Sequence, residues 1–563
     1  MNKIWKITKP APREFIDDFP EFSPIVLQLL YQRGIRKERD IEQFLNPDWE
    51  RDLFDPFLMK GMKESVKRIK IALKKKERVG LFGHFDVDGI TSTVLFTIAL
   101  QKIGLKTTSY IPDREEGYGI TEEGINEFAK ENVKLLVTGD CGISAQKEVE
   151  IAKSKGMDVI ITDHHEIPKK LPKAYSIINP KQKECKFPYK DLAGVGVAFK
   201  LIQALSFDKT LNLKEKNIKW LVDLVGLGTI CDVVPLTSEN RLFAKFGLIV
   251  LNKTRRVGLL KLYQKAKIVQ GKIDPYAVSF MIGPRLNAPG RMDHANVSYY
   301  LLSEKREEQA ERLAQKLEEN NQERQRLLKK ILEQAKNDIK KHNLHKNNLI
   351  MVGGKDWPSG IIGLVAGKLK DEYCRPVLAL AIGDKQAKGS ARSIDNFHIT
   401  EMLSLCSDCL IQYGGHKRAA GFSLINENIA TLKEKIIDIA ERKLTKDDLR
   451  AKIGIDAKID IKDISWRLFE DLEKFEPTGF GNPRPVFLAE NVLVDNIRLV
   501  GKQANHLKMK LAGFDSIFFS GGEYGKNIRE GDAVDIVFQI DADDFMAERK
   551  LQLKIIDMRK IAQ

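Results

Sequence analysis

In residues 51–302, short apolar runs alternate with amphipathic segments. Three of these runs, at residues 78–82, 133–138 and 157–162, are rich in Val, Leu and Ile, and each ends abruptly in polar, acidic sequence. Runs of this length that alternate with helical patterns are typical of a parallel sheet covered by helices. The pattern therefore predicts an α/β domain in this region.

A long helix is predicted at residues 303–341. Leu, Ile and Ala recur at helical spacing near both ends, whereas residues 318–326 are entirely polar and no Gly or Pro interrupts the run. A helix that is buried at both ends and solvated in the middle can bridge two domains. A second α/β pattern follows it, and the C-terminal region of short strands and turns resembles a small β-barrel such as an OB-fold. The predicted division is an N-terminal, peripheral helical segment (1–50), an α/β domain (51–302), a connecting helix (303–345), a second α/β domain (346–448) and a barrel (449–563).

The amino-acid composition indicates the class of protein and shows how charge is distributed along the chain. A chain of 563 residues is too long for one core, and 43% hydrophobic with 30% charged residues is ordinary for a soluble globular protein. The net charge is +15, yet residues 451–563 carry −2 and residues 200–272 carry +9. A polyanionic partner would explain the basic stretch, and a solvated helix face explains it equally well.

The sequence shows no targeting or membrane segment. No apolar run approaches the roughly eighteen residues of a membrane span, and the first residues lack the apolar core of a secretory signal. The six cysteines are scattered, and Cys406 and Cys409 form a single CxxC without the second pair that a zinc site usually needs. We expect a cytoplasmic protein with reduced thiols and no membrane association.

Acidic residues and histidines follow each of the three predicted strands. The motifs are GHFDVDG (83–89), GDCG (139–142) and DHHE (163–166). Sites in open α/β sheets form at the carboxyl ends of the strands, so these motifs should converge in space. A fourth motif, ICDVVP (230–235), places an aspartate in an apolar run, where a carboxylate without a partner would be unstable.

Each of these residues has an ordinary structural explanation when taken alone. Asp86 could form a turn, His164 could be a satisfied buried histidine, and Asp140 could cap a helix. Together the motifs supply at least four carboxylates and two histidines, enough for two divalent cations. Oxygen and imidazole ligands without thiolate favour Mn²⁺ or Mg²⁺. Two such ions about 3.5–4 Å apart are a common device for hydrolysing phosphodiesters.

Residues 163–165 resemble the signature of the DHH phosphoesterase superfamily, and the other three motifs are similar to its companion motifs. Their order and context resemble the RecJ branch of that superfamily. Further similar segments are IPDREEGYG (111–119), GPRLNAPGR (283–291), KGSARS (388–393), GGHKRAAGF (414–422) and FGNPRPVF (480–487). The resemblance spans roughly residues 10–560 and implies a DHH catalytic domain and a DHH-associated domain, joined by the long helix around a catalytic cleft, and an OB-like domain.

The resemblance also implies roles for individual residues. It makes Asp140 a ligand that bridges two ions, makes His165 a group that stabilises charge on the scissile phosphate, and leaves His84 as either a ligand or a neighbour of the ions. The implied metal ligands are Asp86, Asp88, Asp140, His164 and Asp232, with His84. The implied substrate-binding residues are Arg114, Arg285, Ser390, Arg392 and His416.

The activity that the resemblance implies is a 5′ to 3′ exonuclease specific for single-stranded DNA, releasing 5′ mononucleotides in recombination and repair. Arginine forks suit a terminal 5′ phosphate because they bind it bidentately. Tyr118 or Phe397 is a candidate for stacking on a base, with core packing as the alternative. In the barrel, Lys502, His506, Lys508 and Lys510 are candidate DNA contacts. The implied partners are a single-strand-binding protein and a RecQ-type helicase, and the chain is expected to be a monomer.

Two other readings of the motifs stay open. An oligoribonuclease, a cyclic-dinucleotide phosphodiesterase or a manganese pyrophosphatase would use the same chemistry, but those enzymes resemble shorter chains without the barrel and connecting helix. A non-catalytic replication scaffold would have lost ligands, whereas every ligand type is present. A nicotinamide-dependent dehydrogenase is excluded because no strand leads through GxGxxG into a helix, and no GxxxxGK[ST] supports ATP-driven unwinding.

Overall fold

The computed structural model describes residues 3–561 except Glu115, Tyr118 and residues 544–548. Tyr118, one of the two candidate stacking aromatics, therefore lies outside the described residues. The strands are β1 (Ile4–Ile7), β2 (Arg78–Phe82), β3 (Lys106–Tyr110), β4 (Val133–Thr138), β5 (Asp158–Thr162), β6 (Ser176–Ile178), β7 (Ile350–Gly354), β8 (Val377–Ile382), β9 (Gln386–Arg392), β10 (Gln412–Gly415), β11 (Ala419–Ile425), β12 (Lys452–Ile455), β13 (Ala457–Lys458), β14 (Phe487–Val500), β15 (His506–Leu511), β16 (Phe514–Phe518), β17 (Ala533–Asp543) and β18 (Lys550–Lys560).

The helices lie between and around these strands. They are α1 (Arg13–Asp17), α2 (Pro24–Gln32), α3 (Glu38–Leu45), α4 (Met62–Lys75), α5 (Val87–Lys102), α6 (Glu122–Lys130), α7 (Gln146–Ser154), α8 (Gly194–Ser206), α9 (Glu215–Ile218), α10 (Val222–Cys231), α11 (Ser238–Asn252), α12 (Val257–Ala266), α13 (Gly283–Leu286), α14 (Pro289–Met292), α15 (Asn296–Ser303), α16 (Glu307–Lys341), α17 (Ser359–Tyr373), α18 (Ile399–Ser404), α19 (Ile429–Lys443) and α20 (Trp466–Glu473), with a π-helix at Ala277–Ile282. Among the described residues, no helix is both long and apolar enough to span a membrane.

The chain divides into two compact units that are each built from separated segments. The first unit comprises Phe54–Asp232 and Phe246–Ala451. The second comprises Lys3–Leu53, Val233–Lys245 and Lys452–Gln563. The chain therefore enters the second unit at its start, again in the middle and finally at its C-terminus.

The first unit begins with a parallel sheet whose strand order is β3-β2-β4-β5-β6. The strands predicted at residues 78–82, 133–138 and 157–162 correspond to β2, β4 and β5, so these predictions are confirmed. Leu81, Leu136 and Ile160 are almost completely buried, as expected for a sheet covered on both faces. Because every strand runs in the same direction, the residues that follow β2, β4 and β5 meet at one edge.

The connecting helix and a second sheet complete the first unit. α16 is one helix of 35 residues, with Ala310, Ala314 and Leu317 buried near its start and Ile331 and Ile339 buried near its end. Its first half packs on α12–α15 and its second half on β7 and α17. The helix thus joins two domains, as its pattern predicts. The second sheet has the order β10-β11-β9-β8-β7, with β7 and β8 parallel and the other pairs antiparallel.

The second unit is a β-barrel with helices in the same core. Strands β14 to β18 form the order β14-β15-β16-β18-β17, and the pairing of β14 with β17 closes the barrel. Closure removes the free sheet edges, as in OB-folds. Leu27, Leu29 and Leu30 of α2 are fully buried in the core that contains the barrel strands, and β1 pairs with β12. Residues 1–50 are therefore an integral part of this unit rather than the expected peripheral segment, because α2 presents a buried apolar face.

Arg241, on α11, holds the second unit together at its interior. Its side chain is 2% exposed and donates hydrogen bonds to five backbone carbonyls. One carbonyl belongs to Phe44, whose ring lies 4.0 Å from the guanidinium carbon, and the other four belong to residues 474–477. Burial lowers the pKa of Arg241 to about 10, so the guanidinium remains charged at neutral pH. One side chain thus satisfies the carbonyls of a whole turn.

We predict that Arg241→Ala destabilises the second unit by about 3–5 kcal/mol, because it leaves several buried carbonyls without donors and opens a cavity. Hydrogen exchange should lose protection in peptides from residues 3–53 and 452–543 while peptides from β2, β4 and β5 keep theirs. Arg467→Ala, at an exposed position of α20, is the control and should leave exchange unchanged. Unchanged protection of the barrel in Arg241→Ala would contradict this structural role.

Candidate metal centre and substrate pocket

The first two carboxylates of the site are placed by the start of α5. Asp86 caps this helix, and its Oδ1 accepts a hydrogen bond from the Gly89 amide at 3.0 Å. Asp88 lies in the first turn and is 1% exposed. Its two carboxylate oxygens accept hydrogen bonds from the amides of Gly194 and Val195, at 2.6 and 2.8 Å. Because these amides begin α8, Asp88 is held by the positive end of a second helix.

Asp140 follows β4 and lies at the centre of the site. Its φ of 62° is in the left-handed region, which residues other than glycine seldom adopt. A Cβ added to Gly194 would lie 2.6 Å from the Cβ of Asp140. Glycine is therefore required at residue 194, because any side chain there would collide with Asp140.

The potential ligands form two groups that share Asp140. In one group, Nδ1 of His84 lies 3.0 Å from Oδ2 of Asp86 and 3.6 Å from Oδ2 of Asp140. In the other, Nε2 of His164 lies 3.1 Å from Oδ1 of Asp140 and 3.6 Å from Oδ2 of Asp232. Potential ligand atoms lie within 4.8 Å of one another in each of three sets of residues, which are His84, Asp86 and Asp140; Asp140, His164 and His165; and Asp88, His164 and Asp232. Asp140 thus presents one oxygen to each group, and the geometry places His84 among the potential ligands.

The protonation of this site reflects accumulated negative charge. Burial and the neighbouring Asp86 raise the pKa of Asp88 to about 7. Burial together with Asp88 and Asp86 raises the pKa of Asp140 and of Asp232 well above the ordinary range for a carboxyl group. Oδ1 of Asp140 and Oδ2 of Asp232 are buried and accept no hydrogen bond within the described part of the chain. Buried oxygens in this state fit a divalent cation, which would supply the missing positive charge.

His164 is a neutral imidazole aimed at the same site. Its Nδ1 lies 3.0 Å from the carbonyl oxygen of Leu192, which can only accept, so Nδ1 carries the proton. Burial and the adjacent His165 lower the pKa of His164 to about 4. The lone pair on Nε2 therefore points toward the carboxylates, which is the state that a metal ligand requires.

His165 is held by Asp163, whose role the sequence reasoning did not assign. Oδ1 of Asp163 lies 2.7 Å from Nδ1 of His165 and accepts hydrogen bonds from the amides of His164 and His165, while Oδ2 accepts one from the Ile143 amide. Burial lowers the pKa of His165, but the hydrogen bond with Asp163 and the negative charges of Asp163, Asp86 and Asp88 together outweigh it, and the net shift is upward. The His165 side chain is 30% exposed, so its ring faces solvent beside the carboxylates. The position of an Asp directly before two His residues was the available signal for this role.

Four arginines form a second charged cluster in the same unit. Their members are Arg114, Arg291, Arg324 and Arg392. Burial, then the neighbouring Arg114, Arg324 and Arg392, lowers the pKa of Arg291 to about 9. The hydrogen bonds that the four make in the described part of the chain go to backbone carbonyls, to Ser390 or to Asn321, and none of the four has an ion-pair partner there. Such a cluster is suited to a bound anion.

The predicted substrate residues are distributed around this cluster. Ser390 and Arg392 lie on β9, and a Cβ on Gly363 of α17 would come within 3.1 Å of the Ser390 hydroxyl and 3.2 Å of an Arg392 nitrogen. Glycine there leaves room beside both side chains. Arg285 instead pairs with Glu318 of α16 at 2.5 Å. His416, on the exposed turn between β10 and β11, lies close enough to Glu166 to lower the pKa of that carboxyl, after the larger effect of Lys181. Sequence reasoning missed Arg291 and Arg324.

Phe397 is not a stacking residue. It is 1% exposed and belongs to the core of the second sheet, so its assignment as a base-stacking candidate is wrong. In the barrel, His506, Lys508 and Lys510 alternate along β15 with the buried Leu507 and Met509 and therefore share its outward face.

Three family models match the chain in the order of its domains. The DHH family N-terminal domain matches residues 78–229, the DHHA1 domain matches residues 346–443, and the RecJ OB domain matches residues 455–557. Two similar relatives each carry the description "Single-stranded-DNA-specific exonuclease RecJ". The protein from Bacillus subtilis is 37% identical over 98% of this chain and 70% of its own length, and that from Dickeya dadantii is 32% identical over 99% of both.

The chain belongs to the RecJ family. The resemblance on which the sequence reasoning relied is thereby confirmed, as is the predicted fold of DHH, DHH-associated and OB domains. Among solved structures, RecJ from Thermus thermophilus in complex with Mn²⁺ matches with a TM-score of 0.85 at 26% identity, over 100% of this chain and 80% of that one. That RecJ structure was solved with the ion that the carboxylate and imidazole groups here would suit.

We predict that Mn²⁺ added to chelator-treated protein raises the thermal midpoint by about 5 °C or more, because it offsets repulsion among the buried carboxylates. The rise should shrink as the pH falls below about 7, where protons compete for Asp88. Asp140→Asn should lose most of the rise, and Asp395→Asn, at an exposed ion pair of the second domain, should retain it. An equal rise in both variants would place the ion elsewhere.

Proposed function

We propose that this protein is a single-stranded-DNA-specific exonuclease that uses two divalent cations, Mn²⁺ or Mg²⁺, and releases 5′ mononucleotides in the 5′ to 3′ direction. The observation that carries the proposal is a largely buried carboxylate and histidine centre in the same unit as a partly exposed cluster of arginines. The first suits phosphodiester hydrolysis and the second suits a terminal phosphate. Membership of the RecJ family supports the DNA substrate and a role in recombination and repair.

The proposed ligands are the two groups that share Asp140. His84, Asp86 and Asp140 would hold one ion, and Asp88, Asp140, His164 and Asp232 would hold the other. Bound divalent cations would activate a water and neutralise charge on the phosphate. The protein positions these ligands in advance, since helix amides hold Asp86 and Asp88 and a backbone carbonyl holds His164.

His165 would act on the phosphate itself. With Nδ1 bound to Asp163, its Nε2–H can donate to a non-bridging phosphate oxygen as negative charge develops there. The upward shift of its pKa favours the protonated ring, which donates a stronger hydrogen bond. Asp163 is then a positioning residue, because it acts through His165 and the backbone amides from which it accepts.

The arginine cluster would determine the direction of cutting by binding the 5′ end of the strand. A terminal 5′ phosphate carries more negative charge than an internal phosphodiester, and fork-shaped donors bind it bidentately. Arg114 stacks on Phe85 at 4.4 Å, next to the motif that supplies the first ligands, so the cluster adjoins the metal centre. We assign Arg114, Arg392 and Ser390 to the 5′ phosphate, with Arg291 and Arg324 adding charge. Arg285 and His416 are assigned to the strand beyond it.

Partners and location complete the proposal. A RecQ-type helicase would supply the single strand, since the sequence has no ATP-binding loop, and a single-strand-binding protein would hold the same strand. The outward face of β15, with Lys502 nearby, would contact that strand as well. We propose that the protein acts as a monomer in the cytoplasm, where six free thiols remain reduced.

The test is digestion of a 5′-phosphorylated single strand, labelled in turn at each end, with Mn²⁺ or with EDTA. We expect immediate release of the 5′ label as mononucleotide, abolished by EDTA, by Asp140→Ala and by pairing into a duplex. Arg392→Ala should lower kcat/KM about tenfold or more for this strand and less for one with a 5′ hydroxyl. The control is Arg442→Ala, which removes an exposed ion pair of the same domain. Loss of the 3′ label first would overturn the polarity, and cleavage only of very short strands would indicate an oligoribonuclease.

A second prediction concerns Asp163→Asn. We expect kcat to fall about 10–100-fold with Mn²⁺ affinity nearly unchanged, because His165 loses its carboxylate partner but the ligands remain. The pKa of His165 should fall toward its ordinary value, and activity that needs the protonated ring is lost as pH rises through that pKa. The alkaline limb of the kcat profile should therefore move to lower pH in the variant. A variant with an unshifted limb would show that Asp163 has only a structural role.

A further inference from the structure

A groove separate from the metal centre runs along α4 on the first unit. It is an open depression of about 690 Å³, and its apolar lining consists of Phe57, Val66 and Ile71. Phe207 extends this lining, because its ring lies 6.3 Å from that of Phe57 while its side chain is 53% exposed. The groove therefore offers a hydrophobic floor that is open to solvent, and no residue of the metal centre or arginine cluster lines it.

Four lysines of α4 border this floor. Lys63, Lys67, Lys70 and Lys74 follow one another at intervals of four, three and four residues, so they form a single stripe along the helix, and all four are exposed. In the described part of the chain, Lys70 pairs with Asp208 at 2.5 Å, and the other three have no carboxylate partner. The rim is thus strongly positive and largely unneutralised.

We propose that this groove docks a partner protein through an acidic peptide segment that carries bulky apolar side chains between its acids. Charge complementarity argues for the acids, since the lining contains four lysines and no acidic residue. The floor argues for the apolar side chains, because Phe57 and Ile71 would otherwise remain in water between the charges. A nucleic acid fits less well, since its phosphates would lie over this apolar floor and the lining holds none of the arginines that bind phosphate bidentately.

The groove lies at a different place in the fold from the metal centre. α4 packs on α8, β4 and β6 and precedes β2, whereas the proposed ligands follow the carboxyl ends of β2, β4 and β5 or, in the case of Asp232, the end of α10. Docking there would recruit the protein to a partner without occupying the substrate pocket. The surface can therefore be altered while hydrolysis of a free strand continues.

The experiment measures binding of a fluorescein-labelled peptide, Asp-Glu-Phe-Asp-Asp-Leu-Glu-Asp, to the full chain by anisotropy. We expect saturable binding that weakens with added salt. The Lys63→Glu/Lys67→Glu double variant should weaken it at least tenfold, and Phe207→Ser should weaken it without a change of charge. The control is Lys329→Glu/Lys330→Glu, an equal charge reversal on exposed lysines of α16, which should bind like the wild type. A peptide with Ser in place of Phe and Leu should bind more weakly.

The outcomes separate this proposal from its competitors and from the proposed function. Exonuclease activity on a free single strand should be the same in the wild type and in the Lys63→Glu/Lys67→Glu variant, whereas a failure of the proposed function would remove it from both and leave peptide binding unchanged. The docking proposal is overturned by an absence of peptide binding or by equal binding to both double variants.

It is also overturned if the Lys63→Glu/Lys67→Glu variant loses affinity for oligo-dT but not for the peptide, which would make the groove a DNA surface. A dimer seen by sedimentation in the wild type but not in that variant would overturn it as well, because the groove would then hold a second copy.

Discussion

Carboxylates that are buried within a few ångströms of one another repel, and they also lose the hydration that would screen them. Asp88 and Asp140 are in this position, with the half-buried Asp86 and Asp232 beside them, and much of the surrounding structure offsets their charge. The first turns of α5 and α8 direct amide groups at Asp86 and Asp88. Gly194 gives Asp140 its space. These arrangements reduce the repulsion without removing it, as the raised pKa values of three of the four show.

The arginine cluster carries unbalanced positive charge close to the negatively charged metal centre. Four guanidinium groups lie together without ion-pair partners in the described part of the chain, although Asp86 is close enough to act on Arg114 and Arg291. Direct ion pairs would neutralise both clusters and leave neither able to bind. Arg114 is restrained from this by its stacking on Phe85 and by its hydrogen bond to the Gly290 carbonyl. The two kinds of unbalanced charge are thus kept available for cations on one side and a phosphate on the other.

Much of the fold could be predicted because its signals are local. Strands β2, β4 and β5 are apolar runs with abrupt polar ends, and α16 carries its periodicity near both ends without a Gly or Pro between them. Most of the ligand residues could be proposed for the same reason, since they follow strands that must share an edge, whereas Asp232 follows α10 and was marked by the apolar run around it. The packing of α2 into the barrel could not be predicted, because nothing in residues 1–50 indicates a partner more than about four hundred residues away.

The same limit explains the site residues that were missed or misassigned. Arg324 lies on α16, far in sequence from Arg114 and Arg392, and only the folded chain brings the three together. The sequence around Phe397 does not distinguish a buried ring from an exposed one, so only the structure reveals that Phe397 is buried. Asp163 is different, because its position before two histidines was visible. Its role was missed since the hydrogen bond to His165 depends on how the turn after β5 folds back.

The discontinuity of the second unit bears on how such a protein can change during evolution. Asp232 is the last residue of one segment of the first unit, and Val233 begins a segment that packs with the barrel and holds Arg241. A gene fragment that encodes only residues 452–563 would lack both this segment and α2, whose leucines fill the same core. Recombination at a single crossover point therefore cannot exchange the barrel as a complete domain. Lineages that alter it are expected to do so by substitution in place, with the three segments changing together.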